Sequence, residues 1–254
     1  MRPTGPKDGI AWITGASSGI GLALARRLLD EGWTVALTAR RAAELQSVAS
    51  AYPESRALVF PADVRDAGAL AAIAERLEAE GRPIALAIAG AGIYARMGLH
   101  DLDPARLAEV FAVNLAGAVH LAAAALPGMR RRRAGQLVFI GSAASLLPLP
   151  ASAAYGASKA ALRHFAAALR FEAEEAGILV QIVSPGFVTT PMTAPRRRPG
   201  PFQLSAEEAA GRIRHGLGTR RFEIAFPRRL LWPMKIAALL PWPVLFRLRA
   251  LMDV

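Results

Sequence analysis

Tyr155 and Lys159 stand four residues apart in a stretch of helical pattern, in a chain with only three tyrosines and three lysines. On a helix that spacing puts both side chains on one face. A free phenol titrates near pH ~10, too high for efficient proton exchange at neutrality. A neighbouring ammonium favours the phenolate and lowers that value. The pair is therefore a candidate acid–base device. Ser142, in Ile140-Gly141-Ser142-Ala143, falls just past a predicted strand, where its hydroxyl can donate to a substrate oxygen.

A second constellation handles anions. Ile13-Thr14-Gly15-Ala16-Ser17-Ser18-Gly19-Ile20-Gly21 joins a predicted strand to a predicted helix. Gly15 allows a tight turn, while Gly19 and Gly21 allow the backbone to approach a pyrophosphate and the helix to pack close to its strand. The exposed N–H groups and the helix dipole then bind the anion. The spacing is one residue longer than the common dinucleotide turn. A carboxylate for a ribose 2′-hydroxyl would be expected at the end of the second strand. The sequence there is Leu37-Thr38-Ala39-Arg40-Arg41, with arginine in its place. A guanidinium fork suits a 2′-phosphate, so NADP(H) is favoured over NAD.

These residues need a frame, and the apolar pattern supplies one. Continuous runs predict strands at 10–14, 34–38, 57–61, 84–89, 136–140, 179–184 and 222–225. Helical patterns predict helices at 19–30, 42–51, 67–80, about 104–129, 153–176 and 205–216. Unbroken Val/Ile/Leu/Ala strands separated by helices imply a parallel sheet covered on both faces. The expected fold is a single α/β domain, a doubly wound parallel sheet of about seven strands. Residues 110–129 carry no formal charge over the length of a membrane span, but a Pro-Gly stop and flanking helices of similar pattern favour a buried helix.

Composition narrows the chemistry. Among 254 residues there is no Cys, which excludes disulfides, thiolate metal sites and cysteine nucleophiles. The absence also fits a reducing cytoplasm, and the polar first residues carry no signal-peptide pattern. His100, His120, His164 and His215 are scattered without metal-ligand spacing, so no metal site is expected. The net charge of +11 comes mostly from arginine. The runs 130–133 and 196–198 lack interleaved aromatics and read as solvated faces rather than nucleic-acid contacts.

With Asp63-Val64, Asn114, Tyr155-Gly156-Ala157-Ser158-Lys159, Pro185-Gly186 and Thr190 added to the glycine turn, the chain resembles the short-chain dehydrogenase/reductase family. These are compact NAD(P)-dependent oxidoreductases with a Rossmann fold, and the resemblance spans roughly residues 9–227. It implies that Asn114, Ser142, Tyr155 and Lys159 form a catalytic tetrad. It places Gly15, Ser17, Ser18, Gly19, Ile20, Gly21, Arg40, Arg41, Asp63, Val64, Gly92, Tyr155, Lys159, Pro185, Gly186 and Thr190 around the cofactor. Asp63 and Val64 would meet the adenine, and Pro185-Gly186 with Thr190 the nicotinamide carboxamide. Asn114 would hold a water linking Lys159 to solvent. The implied reaction moves a hydride between NADP(H) and a small-molecule carbonyl or alcohol, with a homodimer or homotetramer as the assembly. Other readings are a 3-oxoacyl or other lipid-chain reductase, or a non-catalytic cofactor-binding regulator or membrane-associated scaffold. One departure stands out: Ala89-Gly90-Ala91-Gly92 replaces the family's Asn-Asn-Ala-Gly, which puts local sheet bracing in doubt.

Two segments lie outside the sheet pattern. Residues 190–204 are rich in proline and read equally as a solvated loop or a substrate flap. Residues 1–227 form the expected catalytic domain, and 228–254 a basic, apolar extension. That extension could lie in a membrane interface with Trp232 and Trp242 at headgroup level, pack on the subunit or a partner, or roof the substrate crevice.

Overall fold

The computed structural model describes residues 1–193 and 200–247. The arginine run 196–198 and the last residues of the extension lie outside them.

Seven strands form one parallel sheet: β1 (Ile10–Thr14), β2 (Val35–Ala39), β3 (Ala57–Pro61), β4 (Ile84–Ala89), β5 (Gly135–Ile140), β6 (Ile178–Pro185) and β7 (Glu223–Phe226). Their spatial order is β3-β2-β1-β4-β5-β6-β7. All residues of β1, β2, β4, β5 and β6 are buried, the reason these strands read as unbroken apolar runs. Between β1 and β4 the order of winding reverses, which opens a crevice beyond the carboxyl ends of those strands.

The helices are α1 (Gly19–Asp30), α2 (Ala42–Ala49), α3 (Ala67–Ala79), α4 (Pro104–Phe111), α5 (Gly117–Arg132), α6 (Ala153–Glu175), α7 (Ala206–Leu217), α8 (Arg228–Ala237) and α9 (Trp242–Arg247). One core layer joins α1, α2 and α7 to the sheet through Leu24, Leu28, Leu45 and Ile213. The opposite layer joins α3, α5 and α6 through Leu70, Leu77, Leu121, Met129 and Leu162. Burying such a side chain contributes about 1.5–3 kcal/mol, so both faces of the sheet are strongly held.

The predicted helix at about 104–129 is α4 and α5 joined by a widened π turn at Ala112–Ala116. It is long and apolar enough to cross a membrane, yet Val110, Ala118, Leu121, Ala122, Ala125 and Met129 are buried against the rest of the chain. Strand and helix ends otherwise differ from the sequence expectation by one or two residues, the scale at which termini fray.

The extension folds back as α8 and α9. Leu231 and Leu245 are buried, and Leu230 packs against Gly186, where an added Cβ would lie 2.8 Å from Leu230 Cδ2. An ionic clamp fixes this arrangement: Glu223 on β7 accepts from Arg163 of α6 at 2.7 Å and from Lys235 of α8. Burial alone would raise the Glu223 pKa, but hydrogen bonds from Arg163, Lys235 and Ser184 outweigh it and hold it at about 2. A depressed carboxylate contributes stability above its unfolded pKa, and that contribution is lost as pH falls through the folded value. Glu223→Gln should therefore lower stability at pH ~7 by about 1–2 kcal/mol, after discounting for solvent screening around the partly exposed Lys235. Urea denaturation should show this deficit shrinking as the pH falls from ~4.5 towards ~2.

Candidate active site

The crevice between the carboxyl ends of the strands has a volume of about 420 Å3. It is lined by the glycine turn, by Arg40 and Arg41, by Asp63 and Val64, and by Ser142, Tyr155 and Lys159. Gly92, Pro185, Gly186 and Thr190 complete its wall. A larger groove of about 1220 Å3 lies elsewhere, between α7 and α8, and holds none of these side chains.

Local geometry explains the glycine turn. Gly15 has φ +73°, a left-handed conformation in which a side chain is strained, and a Cβ there would lie 2.7 Å from Ala91 N. A Cβ on Gly21 would fall 2.2 Å from Gly15 O, so α1 meets β1 closely only because that position is bare. Gly19 abuts Thr190, which joins the turn to the loop after β6. These contacts leave a backbone cradle at the amino end of α1, the shape and polarity that a pyrophosphate requires. Arg41 donates to Ser17 Oγ at 3.1 Å, so a guanidinium stands at the cradle's edge. Arg65 hydrogen-bonds Asp63 and holds its carboxyl below the usual range, with Arg40 adding to the effect. His120 Nδ1 lies 2.9 Å from Val64 O and fixes that stretch of backbone from α5.

Tyr155 and Lys159 occupy one face near the start of α6, with Lys159 Nζ 5.9 Å from the centre of the Tyr155 ring. Tyr94 meets Tyr155 edge-on at a centroid separation of 5.1 Å and limits where the phenol can turn. Lys159 is 4% exposed and donates to Ile140 O at 2.8 Å. Burial lowers its pKa to about 8, which leaves the ammonium charged at neutral pH. Ser142 opens a short helical turn, and its Oγ accepts from Ala144 N at 3.2 Å. The hydroxyl proton is thereby directed away from that contact.

Asn114 is placed differently from the other three. It is fully buried in the π turn behind the crevice wall. Its Nδ2 donates to Ile93 O and to Ser158 Oγ, both at 3.0 Å, and its Oδ1 accepts from Ile93 N at 2.8 Å. One lone pair of Oδ1 is left for another donor. A Cβ on Gly92 would stand 3.2 Å from Asn114 Oδ1 and 3.6 Å from Lys159 Nζ. The bare glycine is what keeps a path open between amide and ammonium.

A family model described as short chain dehydrogenase matches residues 9–200. The chain belongs to the short-chain dehydrogenase family. It is 34% identical over 236 residues to an uncharacterized oxidoreductase of Myxococcus xanthus, covering 92% of this chain and 93% of that protein. It is 38% identical over 194 residues to the 2,3-dihydro-2,3-dihydroxybenzoate dehydrogenase of Bacillus subtilis, covering 76% and 74%. Its fold superposes with a TM-score of 0.79 on a short-chain dehydrogenase from Sphingobium yanoikuyae in complex with NADPH, at 26% identity, covering 97% and 96%.

Within this short-chain dehydrogenase the Ala89-Gly90 departure has a structural answer. Gly90 N and Ala91 N donate to Thr14 Oγ1 at 3.2 and 3.4 Å, so β1 supplies the bracing hydroxyl. A Cβ on Gly90 would lie 2.7 Å from Thr14 O, which leaves no room for an amide side chain in this packing. Sequence reasoning did not single out Tyr94, Ile93 or Met192. The last two line the crevice from loops whose course no periodic pattern describes.

A buried Lys159 charge has a stability consequence. Below pH ~8 native and unfolded chains both hold the proton, and the native state bears the full burial cost. Between ~8 and ~10.5 only the unfolded chain holds it, so stability rises with pH. Lys159→Met should therefore stabilise the ligand-free protein at pH ~7 by about 1–2 kcal/mol, net of the lost bond to Ile140 O. Thermal melts across pH should show that advantage shrinking above ~8. An advantage that grows there would contradict the buried ammonium.

Proposed function

We propose that the protein is an NADP(H)-dependent oxidoreductase that interconverts a carbonyl and an alcohol on an apolar small molecule. The observation that carries this reading is one crevice lined jointly by the phosphate cradle, two arginines and the Ser142–Tyr155–Lys159 group. The NADPH complex of the Sphingobium yanoikuyae relative supports the choice of cofactor.

The nicotinamide cofactor supplies or accepts the hydride when bound. The chain's own residues do the rest. The glycine turn and the amino end of α1 would hold the pyrophosphate, and Arg40 and Arg41 the 2′-phosphate. Pro185, Gly186 and Thr190, which line the same crevice, would hold the nicotinamide end. Ser142 donates to the carbonyl oxygen and fixes its position beside Tyr155. Tyr155 gives that oxygen its proton in reduction and takes it back in oxidation. Lys159 keeps the phenol acidic enough for this and bonds the ribose of the cofactor. Asn114 acts through Lys159: its remaining lone pair, past Gly92, holds a water that returns the proton from solvent. Ile93 and Met192 in the wall favour an apolar substrate.

The test follows NADPH absorbance against a panel of aldehydes, ketones and quinones. Tyr155→Phe should reduce kcat by roughly 1000-fold or more while NADPH affinity changes little. Full turnover by that variant would remove Tyr155 from the reaction. Replacing Arg40 and Arg41 together with alanine should weaken NADPH binding by roughly 100-fold and leave NADH binding nearly unchanged. Fluorescence titration with the two cofactors separates these outcomes, and an equal loss for both would reject the 2′-phosphate assignment.

A further inference from the structure

The outward face of α8 and α9 has the composition of a surface that ought to be covered. Trp232, Ile236 and Leu239 recur at helical spacing and are 62%, 61% and 85% exposed. Trp242 and Phe246 continue the patch at 61% and 66%, stacked on each other with centroids 5.7 Å apart. Exposed aromatics and aliphatics grouped this way mark an interaction site. The face is held rigidly in this orientation by Leu231 and Leu245 beneath it and by the Glu223–Lys235 bond.

The charge around the patch says what would cover it. From residue 224 to residue 247 there is no Asp or Glu. Arg228 and Arg229 are exposed at the start of α8, and Arg247 ends α9. The large groove between α7 and α8 opens beside Trp232 and is lined by these first two arginines together with Arg212 and Arg221, against two carboxylates, Glu208 and Glu223, of which Glu208 bonds the start of its own helix and Glu223 is paired with Arg163 and Lys235. None of those four makes an ion pair among the described residues. A second copy of the chain would bring the same cations against each other with no carboxylate from this segment to meet them. A partner that is apolar inside and anionic at its surface complements both properties at once.

We infer that the α8–α9 face docks on an anionic phospholipid surface. The two tryptophans lie at headgroup depth, Ile236, Leu239 and Phe246 enter the acyl boundary, and the arginines meet lipid phosphates. None of residues 228–247 lines the crevice that holds Tyr155, so docking leaves the active site unobstructed.

Flotation of the full chain with vesicles tests this without reference to turnover, so it stands or falls apart from the reductase reading. Binding to equimolar phosphatidylcholine and phosphatidylglycerol should exceed binding to phosphatidylcholine alone by roughly tenfold or more, and should weaken as salt is raised. The pair Trp232→Ser with Trp242→Ser, and the pair Arg228→Glu with Arg229→Glu, should each lose most of that binding. Both should keep the parent's melting temperature and NADPH affinity. The inference is overturned by equal flotation with neutral vesicles, by no flotation at all, or by variants that bind as the parent does. It is also overturned if sedimentation shows an oligomer that the tryptophan substitutions dissociate, which would make a second copy the occupant.

Discussion

An ammonium carried into the protein interior is the constraint on which the crevice depends. Lys159 has almost no contact with solvent, and its ammonium donates to Ile140 O, the carbonyl of the last residue of β5. Such a charge persists only where neighbouring dipoles face it and nothing crowds it. Gly92 meets the second requirement, and the amide oxygen of Asn114 stands across the same opening. The π turn follows from this geometry. By widening the backbone at Ala112–Ala116 it seats Asn114 between Ile93 and Ser158, which ties the loop after β4 to the helix that carries Tyr155 and Lys159.

The sheet sets the distances between these parts. Parallel strands end on one side, so the glycine turn after β1, Gly92 after β4, Ser142 after β5 and Pro185-Gly186 at the end of β6 arrive at one rim. The rim is braced by small contacts. Thr14 Oγ1 receives two backbone N–H groups from the loop after β4, and Trp12 Nε1 donates to Thr38 Oγ1 at 2.9 Å between β1 and β2. A net hydrogen bond of this kind contributes about 0.5–1.5 kcal/mol. Its larger effect is to fix which loop faces which, and the chemistry needs that placement to within a fraction of an ångström.

What was legible in the sequence was whatever repeats or punctuates. The strands are apolar runs bounded by helices, so a covered parallel sheet could be read directly, whereas the order of its strands comes only from the structure. The glycine turn, the Tyr155–Lys159 spacing and the arginine pair after β2 are local patterns, and the crevice brings all of them together. What stayed hidden depends on contacts between distant segments. No pattern in Ala112–Ala116 distinguishes a π turn from ordinary helix. The loss of the amide at Gly90 read as a weakness because the compensating hydroxyl, Thr14, is 76 residues away. The extension holds prolines at 233, 241 and 243: Pro241 and Pro243 fall at the start of α9, while Pro233 lies inside α8, and the two helices form nonetheless.

The extension is tied to the same machinery through β6. Ser184 and Arg163 both meet Glu223, which in turn holds Lys235 on α8, and the next two residues of β6 and its loop are Pro185 and Gly186. Leu230 packs on Gly186, and Gly186 N donates to Phe226 O at 2.8 Å. The loop after β6 that borders the crevice thus contacts both the sheet and α8. A chain that ended at β7 would keep the bond from Gly186 N to Phe226 O but lose the packing of Leu230 on Gly186. The basic charge of the chain is therefore divided by structure. One arginine pair lines the crevice beside the glycine turn, and a separate cluster from α7, the segment before β7 and α8 lines the outer groove beside Trp232.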